Sequence, residues 1–167
     1  MAQTIPEHIF NQMLPRAAAW AQQLELLMLI HKDSLVLVPE EQAIAQRAGV
    51  AQPEAVRILG KPEIPLPEEA DLRDAAVAVG LITPGTAGLT IGHAIFVRRE
   101  CLNDSKLIAH ELKHVAQFER YGSIPAFLRQ YLSEVNQYGY PAAPMELEAI
   151  AFAEACFPSD AKNEPAR

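Results

Sequence analysis

Two histidines and a glutamate are spaced for metal chemistry at residues 110–114, where the sequence reads His-Glu-Leu-Lys-His. On an α-helix, residues four positions apart lie on one face, so His110 and His114 can offer imidazole nitrogens to the same ion. Glu111 follows the first of these ligands, where its carboxylate can take a proton from water that the ion activates. The pattern is typical of metal-assisted peptide hydrolysis, with Zn²⁺ as the predicted ion and Glu111 as the predicted general base.

The sequence around this motif predicts the helix that the motif needs. Apolar residues recur at helical spacing across residues 105–118, and Asp104 and Ser105 are candidates for the N-cap. The alternative is an ordinary amphipathic helix whose histidines belong to a polar network. Such a helix would bury two histidines and a glutamate without a metal, which leaves costly polar groups unsatisfied. Metal binding is therefore the favoured interpretation.

A catalytic zinc site needs a third protein ligand and keeps a fourth position open. Glu146 is the candidate, on a helix that can start at Pro144, because proline is favoured in a first helical turn. A carboxylate that faces the core needs an internal partner, and a metal ion would be one. Glu148 lies on a different stripe and is the alternate third ligand, while a first-turn acid stabilised by the helix dipole is the alternative explanation for Glu146. The core-facing stripe that Glu146 shares is formed by Ala149, Ile150, Ala153 and Phe157.

Two runs carry a resemblance to a known family, HELKHVAQ at 110–117 and PMELEAIAFA at 144–153. The segment 89–152 resembles the gluzincin metallopeptidases, in particular compact minigluzincin-like domains that include a bacterial core domain of unknown function associated with contractile-injection effectors. Their pattern is a short hairpin, then HExxHxxQ, then a helix that carries the ligand glutamate. Membrane-bound CAAX-type proteases have a similar Glu-x-x-Ala-Asp-Ala-Phe-Ala run. The resemblance implies a zincin-like fold that binds Zn²⁺ through His110, His114 and Glu146, and a peptide or protein substrate.

The chain departs from this family pattern at Ile150, which stands where the family has an aspartate that orients a histidine ligand. Ligand histidines usually need an acceptor on their second ring nitrogen. Glu148, Asn136 and a backbone carbonyl are the candidates for that acceptor, and the sequence does not choose among them.

A hairpin is predicted just before the motif, with two short strands around Gly92 and His93, because glycine permits the positive φ of a tight turn. In zincins such a strand borders the cleft, where an extended substrate can add to its edge through main-chain hydrogen bonds. A hairpin without any substrate role is the alternative. The candidate substrate-binding residues are Ala94, Ile95, Phe96 and Val97.

Tyr138 and Tyr140 precede the glutamate helix and are candidates for stabilising the oxyanion that forms when water attacks a carbonyl. Tyr140 is the predicted donor, and a tyrosine that only packs in the loop is the alternative.

The remaining elements predict an α+β fold, mostly helical, with a small antiparallel sheet beside the HExxH helix. Pro62, Pro65 and Pro67 mark an extended, exposed run that can link an N-terminal helical region to the metal-binding region. We expect regions at 1–67, which can cover the cleft, at 68–157, which binds the metal, and at 158–167, a disordered tail, with one compact domain overall. Further helices are predicted over 6–30, from 39 to before Gly49, over 68–79 and over 125–135, and strands at 35–38 and 56–59.

Composition excludes several classes of partner. The formal net charge of −7 argues against nucleic acid, which needs clustered basic residues. The chain has no apolar run near the roughly 18 residues that span a bilayer, and residues 1–14 do not resemble a signal peptide. We therefore expect no membrane partner and a cytoplasmic location, with export that uses no signal peptide left open.

A zinc-dependent metallopeptidase is the function that these patterns predict. The alternative is a catalytically inactive zinc-stabilised scaffold or interaction domain, in which a side chain blocks the open coordination position. A module of an injection system is a third interpretation, which the family resemblance alone suggests.

Overall fold

The computed structural model describes residues 4–159, which form six α-helices and one four-stranded sheet. The predicted α+β class is confirmed. Within the described residues, no helix has the length and apolarity needed to cross a membrane. Residues 160–167 of the predicted disordered tail lie outside the described part of the chain. In chain order the elements are α1 (Glu7–Leu29), β1 (Leu35–Val36), α2 (Pro39–Ala48), β2 (Arg57–Lys61), α3 (Ala70–Ala78), β3 (Gly88–Ile91), β4 (Ala94–Arg98), α4 (Ser105–Tyr121), α5 (Ile124–Tyr138) and α6 (Pro144–Cys156).

The sheet is mixed rather than purely antiparallel. Its strand order is β1-β2-β4-β3, with β2 and β4 parallel and the two outer pairs antiparallel. Parallel neighbours need a long crossover connection, and the segment that contains α3 and β3 supplies it. The predicted hairpin is present, since β3 and β4 are joined at Gly92, whose φ is +61°. A side chain at this φ would be strained, so the turn favours glycine.

The structure contradicts the prediction that β4 offers an edge to substrate. Strand β4 lies inside the sheet and is hydrogen-bonded to β2 on one side and to β3 on the other. Its backbone groups are therefore already paired. The side chains of Ala94, Ile95, Phe96 and Val97 are all buried, with at most 2% exposed. Strand β3 is the outer strand on this side of the sheet.

Helices cover both faces of the sheet, which explains why consecutive residues of β4 are all apolar. Ile95 and Val97 point to one face and pack against α4 residues such as Leu112. Ala94 and Phe96 point to the other face and pack against Met28 near the end of α1. The sheet thereby holds α4 and α1 in fixed positions on opposite sides.

The N-terminal region contributes strands β1 and β2 to the same sheet as β4, the strand that packs against α4. Strand β2 precedes the proline run and pairs along its length with β4. The run itself has no regular structure, but it is not exposed throughout, because Ile64 and Pro67 are buried. Ile64 packs against the cluster that contains Met28 and Phe96.

Helix α4 begins at the predicted cap. The side chain of Asp104 accepts a hydrogen bond from the backbone N–H of Leu107 at 3.0 Å, which satisfies one of the free donors of the first turn. Helix α6 begins at Pro144, as predicted, and packs along α4. The contact between these two helices positions the functional side chains described below.

Asp104→Ala should lower the free energy of unfolding by about 1 kcal/mol, since the first turn of α4 loses its cap. Urea denaturation of wild type and variant would measure the difference. Asn103→Ala is the matched control, because Asn103 is the exposed neighbour one residue earlier. Equal destabilisation by the two changes would show that the cap contributes nothing.

Candidate metal centre

His110, His114 and Glu146 converge where α4 packs against α6. The Nε2 atoms of the two histidines are 3.1 Å apart. Glu146 Oε1 is 3.1 Å from His114 Nε2, and Glu146 Oε2 is 3.3 Å from His110 Nε2. The three donor atoms lie within 4.8 Å of one another, so this group could hold one metal ion.

The spacing of these donors fits a metal better than a hydrogen-bonded cluster. Around a tetrahedral ion with bonds of about 2.1 Å, neighbouring donors lie about 3.4 Å apart. Hydrogen bonds between a charged imidazole and a carboxylate are shorter, at about 2.7–2.9 Å. The two histidines also direct equivalent Nε2 atoms toward each other, an arrangement that an ion with two nitrogen ligands explains.

The three side chains differ in their access to solvent. Glu146 is 2% exposed and His114 is buried, whereas the side chain of His110 is 16% exposed. Burial of the Glu146 carboxylate without a cationic partner would cost several kcal/mol. The helical pattern placed Ile150 on the same buried stripe, but Ile150 is 46% exposed. It lies four residues after Glu146, which rotates it about 40° away from α4 and into an open cleft.

Tyr131 of α5 is a member of the site that the sequence did not reveal. Its hydroxyl donates a hydrogen bond to Glu146 Oε1 at 2.6 Å, and its ring packs edge-on against His114. Burial and the negative charge of Glu146 raise the pKa of Tyr131 well above its ordinary value, so the hydroxyl remains a donor. In the sequence Tyr131 is one of several apolar residues at helical spacing, which gives no signal of this role.

Gln117 supplies the missing acceptor for His114. Its Oε1 is 2.8 Å from His114 Nδ1. Its Nε2 donates to Met145 O at 3.0 Å and to Glu148 Oε2 at 2.8 Å. These two bonds fix the orientation of the amide, so Oε1 must face the histidine and Nδ1 must carry the proton. The lone pair of His114 Nε2 then points toward Glu146 and His110.

Glu148 lies outside the group of candidate ligands. Its carboxylate accepts hydrogen bonds from Gln117 and Arg120 and pairs with Lys113 at 3.2 Å. Partial burial raises its pKa, but the hydrogen bonds from Arg120, Gln117 and Lys113 outweigh burial and lower the pKa to about 2. Glu148 therefore anchors Gln117, which in turn orients His114. The sequence had proposed it as an acceptor for a histidine, and the structure places Gln117 between the two.

Glu111 is held beside the centre by residues of β3. Its Oε2 accepts a hydrogen bond from the Thr90 hydroxyl at 2.6 Å, and the side chain is 4% exposed. Its carboxylate lies directly over Gly88, where a Cβ would come within 2.8 Å of Glu111 Cδ. Glycine at position 88 is thus required by the close approach of this carboxylate.

The structure places Tyr140, the predicted oxyanion donor, beside His110 and Glu111 on the wall of an open cleft. Partial burial, followed by the charges of Glu146 and Glu111, raises the pKa of Tyr140, so it keeps its proton at neutral pH. Tyr138 is 51% exposed and has no place in the site.

Two cavities meet at these residues. One is an open cleft of about 430 Å³, and the other is an apolar pocket of about 140 Å³. Four residues line both cavities: Gly88, His110, Glu111 and Tyr140. Of the three candidate ligands, His110 lines both cavities, while His114 and Glu146 line the apolar pocket.

Comparison of the chain with protein-family models, with curated proteins and with solved structures finds no match. The chemistry of the centre is defined by its own donors, their spacing and their burial.

Metal affinity should separate the two candidate glutamates. Glu146→Ala should abolish tight binding because it removes a ligand, whereas Gln117→Leu should weaken binding by about 10- to 100-fold because it releases the orientation of His114. Glu148→Ala should act no more strongly than Gln117→Leu, since it works only through Gln117. Titration of zinc against a competing chelator measures all three. If Glu148→Ala loses zinc and Glu146→Ala retains it, Glu148 is the third ligand and Glu146 is not.

Stability of the metal-free protein should depend on pH through His114. Burial lowers its pKa, but the hydrogen bond and charge of Glu146 outweigh burial and raise the pKa from 6.5 to about 9. The corresponding stabilisation is complete below about pH 6.5 and is lost as the pH rises toward 9. Burial raises the pKa of Glu146, but the hydrogen bonds from His110 and His114 to the charged carboxylate outweigh burial and hold the pKa well below its ordinary value. The stability that the charged form of Glu146 contributes is therefore lost only in acid.

Thermal unfolding with chelator should therefore show a midpoint that falls between pH 6.5 and 9. Added zinc should stabilise the protein increasingly over the same interval, since histidine binds metal in its neutral form. Glu146→Gln removes the charged partner of His114. In this variant the unfolding midpoint measured with chelator should no longer fall over this pH interval. A metal-free midpoint that rises across this interval would contradict the assignment.

Proposed function

We propose that this chain is a zinc-dependent metallopeptidase of the gluzincin type. The observation that carries the proposal is the convergence of His110, His114 and Glu146 at 3.1–3.3 Å, where His110 and Glu111 also line an open cleft. The resemblance of HELKHVAQ and PMELEAIAFA to that family supports the same reaction. Its substrate would be a peptide or protein.

The donor set favours zinc among the common metals. Two imidazole nitrogens and one carboxylate oxygen suit a borderline ion, while calcium and magnesium prefer sites made of oxygen ligands. Three protein ligands leave one position for water or substrate, as catalytic zinc sites do. Zinc supplies Lewis acidity there, which makes water nucleophilic near neutral pH.

Glu111 is the proposed general base. Thr90 and Gly88 hold its carboxylate at the wall of the cleft, and it is not one of the three candidate ligands. It would take a proton from the attacking water and pass it to the amine that leaves, so that one residue serves both steps. The hydrogen bond from the Thr90 hydroxyl to Oε2 would orient the Glu111 carboxylate for this proton transfer.

Tyr140 is the proposed donor to the oxyanion. Its hydroxyl lies at the cleft and stays protonated because burial and the nearby carboxylates raise its pKa. Tyr131 has a different role, because it is committed to Glu146 Oε1 and holds that carboxylate in position. The substrate backbone would lie in the cleft and pass Gly88, the first residue of the outer strand β3.

One observation favours the alternative of a zinc-stabilised scaffold without catalysis. Tyr131 hydrogen-bonds to Glu146, and Tyr140 lines the same pocket as the three candidate ligands, so two tyrosines already lie close to them. A tyrosine oxygen in the open position would exclude water. The peptidase and the scaffold would both bind zinc, but only the peptidase would hydrolyse peptides.

Protein purified without added metal should contain close to one zinc per chain, measured by elemental analysis. Protein with no zinc, and with no uptake of zinc at neutral pH, would rule out the peptidase and the scaffold together.

Glu111→Gln should retain zinc and fold but lower peptide hydrolysis by about 10²- to 10⁴-fold, because the proton acceptor is removed. The assay would follow cleavage of unfolded protein substrates with and without chelator. Glu40→Gln, on the exposed side of α2, is the matched control and should leave cleavage unchanged.

Gly88→Ala also tests the Glu111 carboxylate. The new Cβ should displace this carboxylate, while zinc binding should persist. Gly85→Ala is its control in the same cleft, where a Cβ would meet only Thr83 Oγ1 at 3.7 Å. We expect strong loss of cleavage in Gly88→Ala alone. If zinc stays bound and the wild type cuts no peptide in a broad library, the scaffold becomes the better function.

A further inference from the structure

The outer edge of strand β1 is open and uncharged. Strand β1 pairs only with β2 and lies at the opposite end of the sheet from β3. Residues 34–38 read Ser-Leu-Val-Leu-Val, so neither a charge nor a proline protects this edge. Outer strands usually carry such a residue, because their unpaired N–H and C=O groups can bind a strand of another chain. The edge of β1 can therefore accept a further strand.

Exposed apolar side chains are concentrated around this strand. Of the fourteen large apolar side chains that are exposed among the described residues, seven lie within residues 26–38. Leu35, Val36 and Val38 are each at least half exposed, and Ile30, just after α1, is 80% exposed. Apolar side chains that are exposed singly are ordinary, whereas a contiguous group of them marks an interaction surface.

The strand and the end of α1 form one such contiguous surface. Leu37 packs into the core beside α4, and successive residues of an extended strand point to opposite faces. Val36 and Val38 therefore point to the face of the sheet that α1 covers. The turn between α1 and β1 is tight, since the Ser34 N–H donates to His31 O at 3.1 Å, and it keeps the apolar end of α1 close to the strand.

The charges that flank this surface are self-complementary. Lys32 lies four residues before Val36 and Glu40 lies four residues after it, and both side chains are exposed. A two-fold axis through Val36, perpendicular to the sheet, pairs two copies of β1 in antiparallel orientation. It sets the two Val36 side chains opposite each other and brings Lys32 of each copy toward Glu40 of the other. The segment thus matches itself in apolar surface, in backbone groups and in charge.

We propose that the β1 edge and the apolar end of α1 form an interface with a second copy of this chain. The two sheets then join into one sheet of eight strands, with the two β1 strands at its centre. Strand β3, which holds Gly88 and Thr90 beside Glu111, lies at each outer end of that sheet. Both candidate metal centres stay open, so the dimer depends neither on metal nor on catalysis.

Sedimentation equilibrium of the full chain, over a wide range of concentrations, tests the dimer. The wild type should approach twice the 18.3 kDa of one chain. Val36→Lys places two like charges together at the axis and should raise the dissociation constant by at least about 100-fold. Val77→Lys makes the same change at an exposed valine of α3 and should behave as wild type. A wild type that stays monomeric would overturn the proposal and leave the edge to a strand of a different protein.

A cysteine at the axis tests the register and does not depend on how Val36→Lys folds. In Val36→Cys the two new side chains are directly opposite, with Cβ atoms about 4.5–5.5 Å apart, close to the separation in a disulfide. Mild oxidation should therefore link two chains. Val77→Cys, which also retains the two native free thiols, gives the background rate. Linkage of Val36→Cys no faster than this background would overturn the paired edge.

A charge exchange tests the contact at the ends of the segment. Lys32→Glu should weaken the dimer by about two- to tenfold at low salt, because the new carboxylate faces Glu40 of the other copy. Glu40→Lys should weaken it similarly, and the double variant Lys32→Glu/Glu40→Lys should recover the wild-type dissociation constant. A double variant that associates no better than either single variant would overturn the two-fold axis through Val36.

Discussion

The contact between α4 and α6 buries the carboxylate of Glu146 against two imidazoles, and the arrangement of the site depends on this burial. A buried carboxylate is tolerated only when cations or hydrogen-bond donors surround it. Here the donors come from two other helices, with His110 and His114 on α4 and Tyr131 on α5. A metal ion would replace the two histidine contacts and leave the Tyr131 bond in place. The same carboxylate therefore pairs with two imidazoles in this structure and could also ligate a metal ion.

Around this carboxylate the protein builds a set of outer hydrogen bonds that limit how each group can move. Gln117 is fully buried between His114 and the start of α6, and Glu148 secures it from the other side. Thr90 performs the corresponding task for Glu111 from β3. Because each partner comes from a different element, the geometry of the centre is a property of the assembled fold. Local helix structure alone would leave the side chains free to rotate.

The sheet explains why these elements meet at all. Strand β4 is buried on both faces and both edges, so it fixes α4 on one face and α1 on the other. Strand β3, paired on one side only, carries Gly88 and Thr90 to the general-base candidate. The N-terminal helices α1 and α3 then enclose the apolar pocket that continues from the centre. Residues far from the metal-binding motif in sequence thus shape the space next to it.

The sequence by itself determined the α+β class, the bounds of most helices, the N-cap at Asp104, the hairpin at Gly92 and the candidates His110, Glu111, His114 and Glu146. These follow from local rules, since helical spacing, capping and turn preferences act over a few residues. Tertiary structure decided the rest. The same alternation of apolar residues suits an outer strand and an inner one, so only the observed pairing removed β4 as a substrate edge. The roles of Tyr131 and Gly88, and the contacts with α6 that orient Gln117, depend on elements distant in the chain, which no local pattern encodes.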